Sequence, residues 1–114
     1  MALKPLTYED PLFQLLRDGN IKEFNARKSQ NATIQLADCD FRYLDLRGLD
    51  AEGIDFSNSY FRAADLRGID FSKTHLAGAS LNGARISGVL FPAELAPDEI
   101  ELSVNRGTRL RYNP

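Results

Sequence analysis

The sequence predicts an all-β solenoid of about three four-sided coils, with a helical cap before it and a short helix after it. Three observations predict this. A large apolar residue recurs every five positions from Leu36 to Phe91, twelve times in succession, and only Ala51 among them is small. A second series, mostly apolar and often smaller, stands two residues before each: Ile34, Cys39, Leu44, Leu49, Ile54, Ser59, Ala64, Ile69, Thr74, Ala79, Ala84 and Val89. Residues 41–50 and 61–70 are identical at seven of ten positions, so the longer unit of repetition is twenty residues.

A period of five matches neither the 3.6 of a helix nor the 2 of a half-buried strand. Four sides of five residues satisfy it, at twenty residues per turn. Neighbouring coils then stack at the inter-strand spacing of about 4.8 Å. The inner columns become Leu36/Phe56/Leu76, Phe41/Phe61/Leu81, Leu46/Leu66/Ile86 and Ala51/Phe71/Phe91. Each coil buries little alone, so stacking supplies both the core and the backbone pairing.

The flanks read as caps. Residues 1–33 are a loose tail, 1–7, followed by a helical hairpin over 10–30. Asp10-Pro11 is a helix start, Gly19 a helix stop, and Asn20 to Glu23 a capping box for a second helix. Residues 34–92 are the repeat, and Pro92 ends its register. Residues 93–114 hold a helix beginning at Ala96-Pro97 with Asp98 and Glu99 in its first turn, stopped by Gly107. Thr108–Tyr112 then alternates like a short edge strand, to fold over the last coil or to pair with another subunit.

Within the repeat, Ala64-Asp65-Leu66-Arg67-Gly68 reads Ala-(Asp/Asn)-Leu-x-x, and Leu44–Gly48 and Ile69–Lys73 come close. The chain resembles the pentapeptide-repeat family on these residues. The resemblance implies a right-handed quadrilateral β-helix, with the central residue and the one two before it facing inward. It also implies an alternative function, since some members of that family mimic duplex DNA and modulate DNA gyrase or topoisomerase. This chain is short, and its formal net charge of −2 is far from the anionic surface such mimicry uses.

Composition excludes more than it assigns. The chain has 114 residues, a length suited to one domain. No basic excess marks a phosphate-contacting surface, so direct nucleic-acid binding is not expected. No run of about 18 apolar residues exists, so no membrane span is expected. Met1–Thr7 lacks the pattern of a secretory signal, and a cytoplasmic, bacterial-type protein is the default. One cysteine allows no internal disulfide, and Cys39 falls on an inward position as a small hydrophobe. One histidine and one cysteine do not make a transition-metal site, and no phosphate-cradling glycine motif occurs, so no metal or cofactor is expected.

His75 is the lone histidine, stacked over Asp55 with Gln35 a coil below. An Asp55–His75 ion pair with Ser57 nearby sketches a hydrolase on paper, but no nucleophile elbow accompanies it. No catalytic residue is assigned, and a non-enzymatic protein-interaction or structural module is the expectation. Its candidate contact residues are Asp40, Arg42, Tyr43, Asp45, Arg47, Tyr60, Arg62, Asp65, Arg67 and Arg85 on a charged ladder, with lateral Asp–Arg pairs offsetting stacked like charges. Arg109, Arg111 and Tyr112 form a second group in the tail. The expected partner is a protein, with a homodimer through the C-terminal segment as one arrangement the tail allows.

Overall fold

A computed structural model describes residues 11–30, 34 and 36–113. Among the described residues three helices form: α1 (Pro11–Arg17), α2 (Ile21–Lys28) and α3 (Pro97–Arg106). The predicted Asp10 cap and the position of Gln35 lie outside the described residues. Gly19 turns between α1 and α2 at φ +76°, and the Asn20 side chain accepts the Glu23 amide at 3.3 Å as the capping box requires. Phe13, Leu16 and Phe24 bury against the coil, with the Phe13 ring 5.4 Å from that of Phe41.

Between the helices the chain turns a corner every five residues and returns over itself every twenty. Parallel bridges join Asp40 to Tyr60, Tyr60 to Ser80, Asp45 to Asp65, Asp65 to Arg85, Asp55 to His75 and Asp70 to Leu90. The twenty-residue register therefore holds. Continuous strands do not form among the described residues, contrary to the all-β expectation; the pairing consists of isolated bridges. The cause is geometric, because a corner interrupts each side before two successive residues can pair.

Each regular side makes the same three contacts with the coil above. Phe61 and Ala63 donate their amides to Ser80 and Asn82, and the Ala64 carbonyl accepts from Arg85. Within a corner the amide three residues after the centre bonds back to it, as Ala64 does to Phe61 at 3.0 Å. The second corner residue takes a left-handed backbone. Glycine suits that conformation, yet Asp38, Tyr43, Asn58 and Ala63 adopt it too. The corner at Phe71 differs: Lys73 is not left-handed, and the Thr74 hydroxyl replaces the backbone donor to Phe71.

The inner columns are as the register predicts. Phe41 stacks on Phe61 at 5.1 Å, and Phe56 and Phe71 meet them edge-on. Cys39 is buried, and its thiol donates to the Ala37 carbonyl at 3.4 Å. Ser59, fully buried in the inner series, donates its hydroxyl to the Leu36 carbonyl and accepts the Cys39 amide. The small Ala51 leaves its mark: Asp50 and Asp70 do not bridge, and a cavity of about 100 Å³ opens beside them.

The C-terminal segment folds back on its own third coil. The Leu76 amide bonds the Tyr112 hydroxyl, and Gly78 bonds the Leu110 carbonyl. Leu81 bonds the Ser103 hydroxyl, and Gly83 bonds the Val104 carbonyl. Ser80 and Arg109 make one antiparallel bridge. No helix among the described residues is long and apolar enough to cross a membrane.

Candidate interaction face

The aspartates of the repeat answer a backbone need. The first corner residue has an amide that points away from the neighbouring coil. The carboxylate two residues earlier accepts it: Asp40 from Arg42, Asp45 from Arg47, Asp55 from Ser57, Asp65 from Arg67 and Asp70 from Ser72. Where the corner residue is an arginine, its guanidinium folds onto the same carboxylate. Arg42 meets Asp40 at 2.8 Å, Arg47 meets Asp45 at 2.7 Å, and Arg67 meets Asp65 at 2.7 Å. Arg47 also reaches the next coil, to Asp65 at 3.4 Å. Compensation is thus mainly lateral, between neighbouring columns of one coil as expected, and only the Arg47–Asp65 contact crosses from one coil to the next.

The carboxylates feel these partners. The Arg67 guanidinium and the neighbouring Arg47 hold Asp65 down to about 2. Hydrogen bonds from Arg47 lower Asp45, and those from Ser72 lower Asp70. Burial pushes Asp40 up, but its bonds to Arg42 outweigh this and leave it below the usual range.

Arg62 and Arg85 are exceptions. The position two before Arg62 is Tyr60, so the corner carboxylate is missing; Arg85 itself occupies an aspartate position in its coil. Neither makes an ion pair among the described residues. Five arginines therefore share this face with three aspartates, an excess of two positive charges on a chain whose net charge is −2. Tyr43 stands at its corner with φ +65° and 71% exposed. Above it the same corner carries Ala63 and then Gly83, which leaves a step beside the ring.

Of the tail candidates, Arg111 and Tyr112 lie away from the ladder, while Arg109 reaches it at Tyr60. Arg111 holds the Glu99 carboxylate at 2.6 Å, and that glutamate is only 2% exposed. The contact lowers the Glu99 carboxyl. Arg109 bonds the Gly78 carbonyl and the Tyr60 hydroxyl and lies 5.1 Å over the Tyr60 ring. Tyr112, its phenol raised by burial, caps Leu76. Asn25, which sequence reasoning missed, ties α2 to the first coil through the Gly48 carbonyl and the Asp50 amide, both at 2.9 Å.

The hydrolase sketch is corrected. Asp55 and His75 bridge through their backbones, but the Asp55 carboxylate bonds the amide and hydroxyl of Ser57. A neighbour two residues away wins over a side chain in the next coil.

Residues 54–91 match the family described as pentapeptide repeats, in eight copies. The eight centres from Phe56 to Phe91 are those of the structural register. Residues 54–91 are pentapeptide repeats. The coil extends further than the match, since Leu36, Phe41 and Leu46 donate to Asp55, Tyr60 and Asp65 in the same register. That first coil departs from the repeat pattern at Leu44, Leu49 and Ala51. No curated protein and no solved structure matches the chain.

Proposed function

We propose that this pentapeptide-repeat module is a non-enzymatic scaffold that displays a charged face to a protein partner. In this reading the coil is a right-handed quadrilateral β-helix, held rigid by its stacked core. The partner presents carboxylates to Arg62 and Arg85 and packs against Tyr43, a residue type favoured at binding hot spots. The observation that carries the reading is the pair of unmatched arginines on a face whose other arginines are neutralised. Asp40, Asp45 and Asp65 among them disfavour a nucleic-acid phosphate chain and suit a protein with separated acids.

The test is binding of a fluorescent Asp/Glu-rich dodecapeptide by the intact chain. Arg62→Ala with Arg85→Ala should weaken it about tenfold or more, while Arg67→Ala changes it less because that cation is already spent on Asp65. Equal binding by wild type and double variant overturns the reading, as does tighter binding of duplex DNA than of the peptide.

Gyrase mimicry remains the alternative, checked by a supercoiling assay. The pairing of Asp45 and Asp65 with arginines weighs against it, because a phosphate-like array needs uncompensated carboxylates. For the homodimer, the bonds of Leu110 and Tyr112 to their own third coil favour capping in cis.

A further inference from the structure

We infer that the open edge at Ile86–Leu90 is a docking slot for an extended peptide segment of a partner protein, which adds one strand to the third coil and places an apolar side chain against α3.

Hydrogen-bond accounting points there. A regular side offers the next layer two amides, at the centre and two residues on, and one carbonyl, three residues on. On the first three sides of the second coil all of these are answered: Phe56, Asn58, Phe61, Ala63, Leu66 and Gly68 donate upward, and the Ser59, Ala64 and Ile69 carbonyls accept. Among the described residues no further coil lies above the third. On its first side the tail supplies the partners, and one residue, Leu110, both accepts from Gly78 and donates to Ala79 at 2.8 Å. On its second side Ser103 and Val104 take the two amides. On its third side the Ile86 amide, the Gly88 amide and the Val89 carbonyl have no partner among the described residues.

Chemistry beside this edge selects the occupant. A cavity of about 290 Å³ is lined by Ile86, Pro97, Ile100 and Val104, with Glu101 and Asn105 at its rim. It has room for a leucine- or phenylalanine-sized side chain. Leu90 is 58% exposed at the end of the same edge. The unmet groups repeat the spacing that Leu110 closes one corner pair away, so one residue of an extended, antiparallel segment answers both Gly88 and Val89. A single strand fits the approach. The flat coil end of a second copy does not, because α3, about 10 Å across, stands on the coil beside the slot. The slot begins one residue after Arg85 of the arginine face, but it rests on backbone groups and the cavity beside α3 and does not depend on that cation.

The probe is a free peptide of the chain's own residues 108–112, blocked at both ends, since that segment already pairs this way on the neighbouring side. Amide exchange and chemical shifts are followed in the intact protein. In the free protein Ile86 and Gly88 should exchange at least tenfold faster than Gly78 and Gly83. With peptide at up to about 5 mM their signals should shift and their exchange slow, while Gly78 stays unchanged. N-methylation at the leucine of the peptide should abolish the effect, because it removes the donor to Val89 yet keeps the apolar side chain. Three results overturn the inference. One is prior protection of Ile86 and Gly88 in the free protein, with a solution mass of either one chain or two. Another is no shift at the highest peptide concentration. The third is an undiminished effect of the N-methylated peptide.

Discussion

The second and third coils are built on the same register and are held in different ways. The second, from Phe56 to Thr74, has a coil below and a coil above, and its four centres are buried almost completely. Its corners at Asp65 and Asp70 are capped by carboxylates. The third has Ser80, Arg85 and Leu90 at the aspartate positions, so its corners lack that cap. Leu76 and Leu81 are buried under the C-terminal segment, but Ile86 and Phe91 are only partly covered. Repetition alone therefore stabilises the interior of the solenoid. Its end depends on non-repeating groups: Ser103, Val104, Leu110 and Tyr112.

The largest expected effect tests burial directly. Phe61→Ala removes a ring that contacts Phe41, Phe56 and Phe71 and should cost about 3–5 kcal/mol. Phe91→Ala, half-covered at the open end, should cost less than half as much. Denaturant titration checks both, and equal costs would dissolve the distinction between the two coils.

Next in size is the cap. Ser103→Ala leaves the buried Leu81 amide without its acceptor and should cost about 1–3 kcal/mol. The matched change Ser87→Ala, on an exposed corner, should be nearly neutral. A neutral Ser103→Ala would show that α3 rests on the coil without anchoring it.

A smaller effect is pH-dependent and belongs to the first two coils. Asp65 is held at about 2 in the folded chain, below the ordinary value of 3.8. The unfolded chain therefore binds its proton more readily. The contribution is fully present above about pH 4 and is lost as pH falls toward 2. Asp65→Asn should flatten the melting curve in that window, and Asp40, Asp45 and Asp70 should contribute in the same direction. An unchanged acid dependence in Asp65→Asn would remove the corner role from this aspartate.

The comparison also explains what could be read from the residues. Twelve registers were legible because one spacing encodes both inward series, and α2 and α3 carried their own punctuation at Asn20, Pro97 and Gly107. The absence of continuous strands was not legible, since periodicity fixes register but not how many residues pair between corners. The Arg111–Glu99 pair was not legible, because Glu99 lies across a turn, twelve residues away, and no period links them. Asn25 was hidden for the same reason. The Asp55–His75 pair failed differently: stacking was right for the backbone, while the local bond to Ser57 decided where the carboxylate turned. Arg62 was in plain view, but its isolation follows from Tyr60 replacing a corner aspartate whose backbone role only the structure reveals.

The central claim is that the coils stack at twenty residues and that the last one is closed on some sides only. Native-state hydrogen exchange, resolved by residue, tests it most directly. The account predicts strong protection at Phe61, Ala63, Leu66 and Gly68, protection at Leu76, Gly78, Leu81 and Gly83 that is lost together when the chain is truncated after Pro92, and rapid exchange at Ile86 and Gly88. Uniform protection across the third coil, or protection of Gly78 and Gly83 that survives the truncation, would contradict it.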